Sequence, residues 1–246
     1  MEYFVDMHNH IVPGVDDGSQ SLEESLALLD MEYKEGARKI ICTPHYIRGR
    51  NSYSYGELDA RFSELQAAAK EKYPELQLYL GNEVLYEAGI ADDLRAGMIH
   101  TMAGTKYVLI EFNIRIPYNE LYKGMQEVTA TRKRIIIAHV ERYHCLEGRM
   151  DRMQELAEMG LLFQMNTEAV EGSLFDESTR WRRKLLRSGI ISFLSTDCHD
   201  TENRTPDWSD AVKWIRKKCG DNAVSRLCRE NAEVVLENRI LTGQAL

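Results

Sequence analysis

Hydrophobic and polar positions follow two rhythms along this chain. Short apolar, β-branched runs occur at 3–8 (YFVDMH), 39–44, 76–84, 107–112, 134–140, 161–166 and 190–196, and each reads as a strand. The segments between them, at 22–36, 55–73, 119–132, 149–160 and 178–189, carry helical spacing. In the first of these, Leu22, Leu26, Leu29 and Tyr33 recur every three to four residues, which marks one buried helix face. Gly36, Gly160 and Gly189 stand where left-handed helix caps are expected. Helical patterns at 209–219 and 221–239 follow the last strand.

Strands that mostly alternate with helices predict parallel pairing through right-handed crossovers. A length of 246 residues with no linker or composition break predicts one domain, 1–246, either an open doubly wound sheet or a closed α/β barrel. No GxGxxG or GxxxxGK[ST] phosphate loop is present, which weakens the open nucleotide-binding option.

Composition narrows the class. Hydrophobic residues make up 43% and charged residues 28%, as expected of a chain with a full core rather than a disordered one. The net charge of −8, with acids and bases read as interspersed, argues against a nucleic-acid groove and against a polybasic membrane patch. The five cysteines form no CxxC pair, so neither a disulfide framework nor a thiolate zinc site is expected. The first residues, MEYFVDMHNH, do not read as a secretory signal, and no apolar run approaches the ~20 residues of a membrane span. The cytoplasm is the expected setting.

The candidate chemistry lies at the ends of the strands. In a parallel barrel the C-terminal strand ends face one mouth. His8 and His10 follow the first strand, His45 the second, Glu83 ends the third, Glu111 the fourth and His139 the fifth, while Asp197 and His199 follow the seventh. The sixth offers only Asn166. A single histidine at a strand end is an ordinary polar residue, and HNH before VDDG could be a polar turn. Many carboxylates converging on one mouth would repel one another, and divalent cations relieve that repulsion. Asp6, His8 and His10 are two apart and would share a face of an extended strand, as would Asp197 and His199. Histidine with carboxylate and without thiolate suits manganese, iron or zinc, and the number of donors exceeds the needs of one ion.

The ordered motifs HNH (8–10), VDDG (15–18), TPH (43–45), GNE (81–83), IEF (110–112), AHVERY (138–143) and TDCH (196–199) resemble the polymerase-and-histidinol-phosphatase (PHP) superfamily. More closely, they resemble its bacterial manganese-dependent tyrosine phosphatases of capsule and exopolysaccharide clusters. The resemblance implies a distorted (β/α)7 TIM-like barrel carrying about two or three Mn2+ ions, with iron or zinc as alternatives. It implies that His8, His10, Glu83 and Asp197 hold one ion, Asp17, His45 and His199 a second, and Glu83, Glu111 and His139 a third. Asp16 would be a turn residue or lie behind the ligands, Asp6 would orient a histidine, and Arg142 and Arg204 would bind phosphate. The implied activity is hydrolysis of phosphotyrosine in a protein, a bacterial tyrosine kinase being the expected partner, by metal-activated hydroxide. Relatives of this kind can be oligomeric, so a homo-oligomer is compatible, although no surface stripe dictates a number.

Other readings stay open on the sequence. A PHP phosphatase of a small metabolite such as histidinol phosphate uses the same donors, and a non-catalytic metal-binding regulator could keep them. Cys198 and Arg204 fit the C-x5-R-[ST] pattern of cysteine-dependent phosphatases, but Asp200 and Glu202 between them would repel both phosphate and a thiolate. The loop 46–55, YIRGRNSYSY, is either a surface that meets a phosphotyrosine peptide or a solvated loop.

Overall fold

The computed structural model describes residues 3–173 and 175–241. Nine parallel strand segments, β1 (Phe4–Asp6), β2 (Ala37–Cys42), β3 (His45–Tyr46), β4 (Gln77–Leu80), β5 (Glu83–Leu85), β6 (Tyr107–Glu111), β7 (Arg134–Ile137), β8 (Leu162–Asn166) and β9 (Phe193–Ser195), fill seven positions around a curled sheet. The predicted strand at 76–84 is broken in the middle, giving β4 then β5, and past the predicted strand at 39–44 the chain resumes after β2 as the short β3. The ladder therefore divides into β1-β2-β4 and β3-β5-β6-β7-β8-β9. Gly81 N–H donates to the Cys42 carbonyl at 2.8 Å across that break. Between β4 and β6 the gap is filled by a 3-10 turn at Met102–Gly104, and Met102 packs so closely on Gly81 that a Cβ there would meet its sulfur at 3.1 Å. The ring closes where β1 and β9 run out, through Asp197 N–H to the His8 carbonyl (2.8 Å) and His10 N–H to the Cys198 carbonyl (2.9 Å). The fold is the distorted seven-position α/β barrel that the resemblance implies.

Helices α1 (Leu22–Glu35), α2 (Tyr55–Lys72), α3 (Ile90–Ala96), α4 (Tyr118–Thr129), α5 (Met150–Glu158), α6 (Glu177–Ser188) and α7 (Ser209–Cys219) surround it. Gly36, Gly160 and Gly189 take φ of 109°, 84° and 77°, as the capping pattern predicts. Seven-residue α3 carries too little periodicity to be read from sequence. The final predicted helix breaks into α8 (Asp221–Ser225), a π turn at Arg226–Glu230 and α9 (Asn231–Leu236).

The strand alternation decides what lies inside. Val5, Ile41, Leu109, Ile136, Leu162 and Phe193, one from each of six strands, form a buried cluster with Ala232 and Val235 of α9. Their neighbours in sequence, such as Ile40, Ile110, Ile137 and Phe163, pack outward against helices. Further along three of these strands the inward positions turn polar: Leu109 leads to Glu111, Leu162 to Gln164 and Asn166, and Phe193 to Ser195 and Asp197, while Val5 and Ile136 lead to the still apolar Met7 and Ala138. The barrel is thus apolar at the α9 end and polar at the mouth.

One reading of the sequence is corrected here. The charges are not evenly interspersed: α6 and α7 together carry nine lysines and arginines against two acids, in a chain of net charge −8.

Candidate metal centre

All nine donors expected of the site meet at the mouth. His8 Nε2 lies 3.2 Å from Glu83 Oε1 and 3.4 Å from Asp197 Oδ1. His10 Nε2 lies 3.3 Å from Glu83 Oε2 and 3.4 Å from the same Asp197 oxygen. His45 faces two ways, with Nδ1 3.1 Å from both Glu83 and Glu111 and Nε2 3.3 Å from Asp17. His139 Nε2 meets Glu83 at 2.8 Å and Glu111 at 3.6 Å, and His199 Nε2 lies 3.7 Å from Asp17. Among the nine donors, atoms within 4.8 Å of one another form three groups: His8, His10 and Asp197; His10, Asp17, His45 and His199; and His45, Glu83 and Glu111; a fourth such group, Asp6, Glu32 and Cys198, lies apart from these donors. The first two resemble the expected ligand sets. The third has His45 beside the two glutamates, where the resemblance implies His139.

Burial and charge are arranged as a cation site requires. His8, His10, Glu83, His139, Asp197 and His199 are all buried. Burial works against charge on Glu83 and Asp197, but the surrounding histidines hold both carboxyls well below the usual range. Burial likewise opposes a proton on His139, yet Glu111 and Glu83 raise it to about 10. His10 and His45 are raised against burial by Asp16 and by Asp17 respectively, whereas burial and the charge of His10 lower His199 to about 3. The nitrogens His8 Nε2, His10 Nε2, His45 Nδ1 and His199 Nε2 are buried without a hydrogen-bond partner. Unpartnered imidazole nitrogens facing carboxylates at 3.1–3.7 Å fit a set of divalent cations. Two of the five described non-glycine residues with positive φ stand here, His139 at 29° and Asp197 at 55°.

The residues behind these donors differ from expectation in one respect. Asp6 does not orient a histidine ring. β1 ends at Asp6, and both Met7 and His8 turn inward, so the two-residue parity stops there and Asp6 stays on the outer face. It instead ties the β1–β9 seam, accepting from Thr196 N–H (3.1 Å), Thr196 Oγ1 (2.8 Å) and Asn9 Nδ2 (3.1 Å). Asp16 does the orienting: its Oδ2 pairs with His10 Nδ1 at 2.7 Å and accepts from the His45 backbone at 3.0 Å.

The sixth strand, which offers only Asn166 in the sequence, supplies a relay. Gln164 Oε1 accepts from His139 N–H (2.6 Å) and faces His8 Nδ1 (3.0 Å). Gln164 Nε2 donates to Asn166 Oδ1 (2.9 Å), and Asn166 Nδ2 donates to Asp197 Oδ2 (2.7 Å). Two amides, spaced two apart on a strand with no exposed residue, were the available signal.

Arg142 and Arg204 join at the rim. Their Nη2 atoms lie 3.1 and 2.8 Å from Asp197 Oδ2, which leaves Oδ1 to the histidines. Arg142 also reaches Glu168 at 3.1 Å and lines a cleft with Ile114, His144 and Arg182. Cys198 points away from the mouth, buried, with Sγ 3.9 Å from Glu32. Burial and then Glu32 push its thiol well up. The Asp200 side chain takes the amides of Glu202 (2.8 Å) and Asn203 (2.5 Å) that a phosphate cradle would need. The C-x5-R match is therefore not a thiolate phosphatase loop.

The loop 46–55 proves to be tied down. Arg48 pairs with Asp93 at 2.9 Å, Arg50 pairs with Glu87, and Tyr53 donates to the His45 carbonyl at 2.5 Å. It supports His45 and walls a cleft of about 300 Å3 with Val15, Ile47 and Tyr53.

Residues 4–237 match the family described as capsular polysaccharide synthesis, CpsB/CapC. The chain belongs to the CpsB/CapC family. It is 30% identical over 242 residues to tyrosine-protein phosphatase CpsB of Streptococcus agalactiae, covering 96% of this chain and 100% of that one. Tyrosine-protein phosphatase YwqE of Bacillus subtilis is 24% identical over 245 residues, with 98% and 94% coverage. Among solved structures, one of YwqE from Bacillus subtilis and CpsB from Streptococcus pneumoniae, described as metal-dependent tyrosine phosphatases, superposes with a TM-score of 0.88 at 23% identity. It covers 98% of this chain and 97% of that one. A phosphotriesterase homology protein from Escherichia coli shares the fold at a TM-score of 0.63 and 12% identity, with coverage of 96% and 99%. The CpsB/CapC assignment bears out the family read from the ordered motifs.

Proposed function

We propose that this CpsB/CapC protein is a metal-dependent phosphotyrosine-protein phosphatase acting in capsular or exopolysaccharide synthesis. The observation that carries the reading is the convergence of five histidines and four carboxylates, with imidazole nitrogens of four of those histidines facing the carboxylates unpartnered, beside two arginines. The tyrosine-phosphatase names of its relatives supply the substrate class.

His8, His10, Glu83 and Asp197 would hold one cation, Asp17, His45 and His199 a second, and Glu83, Glu111 and His139 a third, with manganese proposed ahead of iron or zinc. Bound divalent cations lower the pKa of water toward neutrality and neutralise phosphoryl charge. The protein's own groups do the rest. Gln164 fixes the His8 ring and Asp16 fixes the His10 ring, so that each presents Nε2 to the centre. The guanidinium groups of Arg142 and Arg204 orient phosphate oxygens by charge-assisted hydrogen bonds. Val15, Ile47 and Tyr53 give the tyrosine ring an apolar wall beside His45. A phenol has a pKa of about 10, so tyrosine leaves with less help from a general acid than serine would need.

The chain would work as one catalytic domain in the cytoplasm, on a bacterial tyrosine kinase. Comparing kcat/KM on a phosphotyrosine peptide and on histidinol phosphate tests the substrate class. The reading requires the peptide to be preferred, and preference for histidinol phosphate would replace it with a metabolite phosphatase.

A further inference from the structure

Nine cations lie along α6 and α7, helices on the outside of the barrel. The two helices pack together, with Arg183 and Arg187 of α6 stacked over Trp214 of α7 at 5.4 and 5.5 Å. Asp176, Asp210 and Asp221 pair with Arg182, Lys213 and Arg216. Lys184, Arg187, Lys217 and Lys218 are exposed and keep no carboxylate partner among the described residues. Phe175, in the segment entering α6, is 95% exposed, and its carbonyl is fastened to Arg180 Nη1 at 2.9 Å.

We propose that the α6–α7 face, with Phe175 at its edge, docks on a membrane surface rich in anionic phospholipid. Cations spread over two helix faces suit a flat field of headgroups, and an exposed phenyl beside them suits insertion at the interface. An acidic protein segment would answer the charge but leaves the exposed phenyl unexplained. No described helix is long and apolar enough to cross a membrane, so the contact is peripheral. Ser178 and Arg182 of α6 line the same cleft as Arg142, together with Glu141, Glu147, Glu168 and Glu171, so the cleft itself is not part of the basic face. The proposal does not depend on the phosphatase reading.

Co-sedimentation of the full chain with phosphatidylcholine vesicles, with and without phosphatidylglycerol, tests it. Binding should require phosphatidylglycerol and fall with added salt. Each cation removed should weaken it about fivefold, so K184Q/R187Q/K217Q/K218Q should bind two to three orders of magnitude more weakly, roughly. Phe175→Ser should weaken it about tenfold. Circular dichroism and a thermal melt, unchanged in both variants, show that they fold. Wild-type binding that is absent, independent of phosphatidylglycerol, or unchanged in either variant overturns the proposal. Capture by polyglutamate in place of vesicles would make the face a protein-docking surface instead.

Discussion

His8 gives its Nδ1 proton to Gln164 Oε1 at 3.0 Å. The direction is fixed because the His139 backbone N–H donates to that same oxygen at 2.6 Å, so the oxygen rather than the amide nitrogen must face both. The His8 lone pair is thereby left on Nε2, toward Glu83 and Asp197.

Gln164→Leu removes that acceptor and leaves the His139 amide and Asn166 without their partners. Metal affinity should fall about 10–100-fold. The metal-free protein should lose about 1–3 kcal/mol of stability. Metal titration and thermal melting of the same preparation check both. Unchanged affinity would mean that Gln164 does not set the His8 tautomer.

Arg142→Lys and Arg204→Lys should each lower kcat/KM on a phosphotyrosine peptide about 10²–10³-fold while bound metal is retained, because a planar two-pronged donor is replaced by a point charge. Kinetics and metal analysis on the same samples separate the roles. Metal lost in step with activity would make the arginines supports of Asp197 and not phosphate ligands.

Cys198→Ala should leave kcat/KM unchanged and cost about 1 kcal/mol of stability, since a small buried side chain is shortened. Steady-state kinetics and a denaturant melt suffice. Abolished turnover in a folded variant would restore the thiolate mechanism that the geometry rejects.

Metal binding near pH 7 should expel protons. His10, His45 and His139 all have pKa values raised above the ordinary 6.5, His139 to about 10, so the metal-free site holds protons that ligation must displace. Affinity should therefore rise with pH. The stability these raised histidines give the metal-free chain is fully present below 6.5, and the His139 share is lost as pH climbs through about 10. Calorimetry in two buffers of different ionisation enthalpy counts the protons, and a heat independent of buffer would contradict the charge state of the site.

Much of this was legible in the sequence because strand ends in a parallel barrel must converge. The donors from His8 to His199 could be placed at one mouth without knowing any distance. The parts that escaped depend on packing. Asp6 reads as the partner of His8 and His10 only if the strand continues, and it ends at Asp6. Gln164 and Asn166 look like ordinary polar residues until the chain folds their amides between His8 and Asp197. The basic face of α6 and α7 is hidden in an acidic average, because net charge carries no position.

The most direct test is phosphate release from a phosphotyrosine peptide by the protein as purified, after chelation, and after return of manganese. Turnover should vanish with the metal and come back with it. Equal turnover before and after complete metal removal would contradict the account.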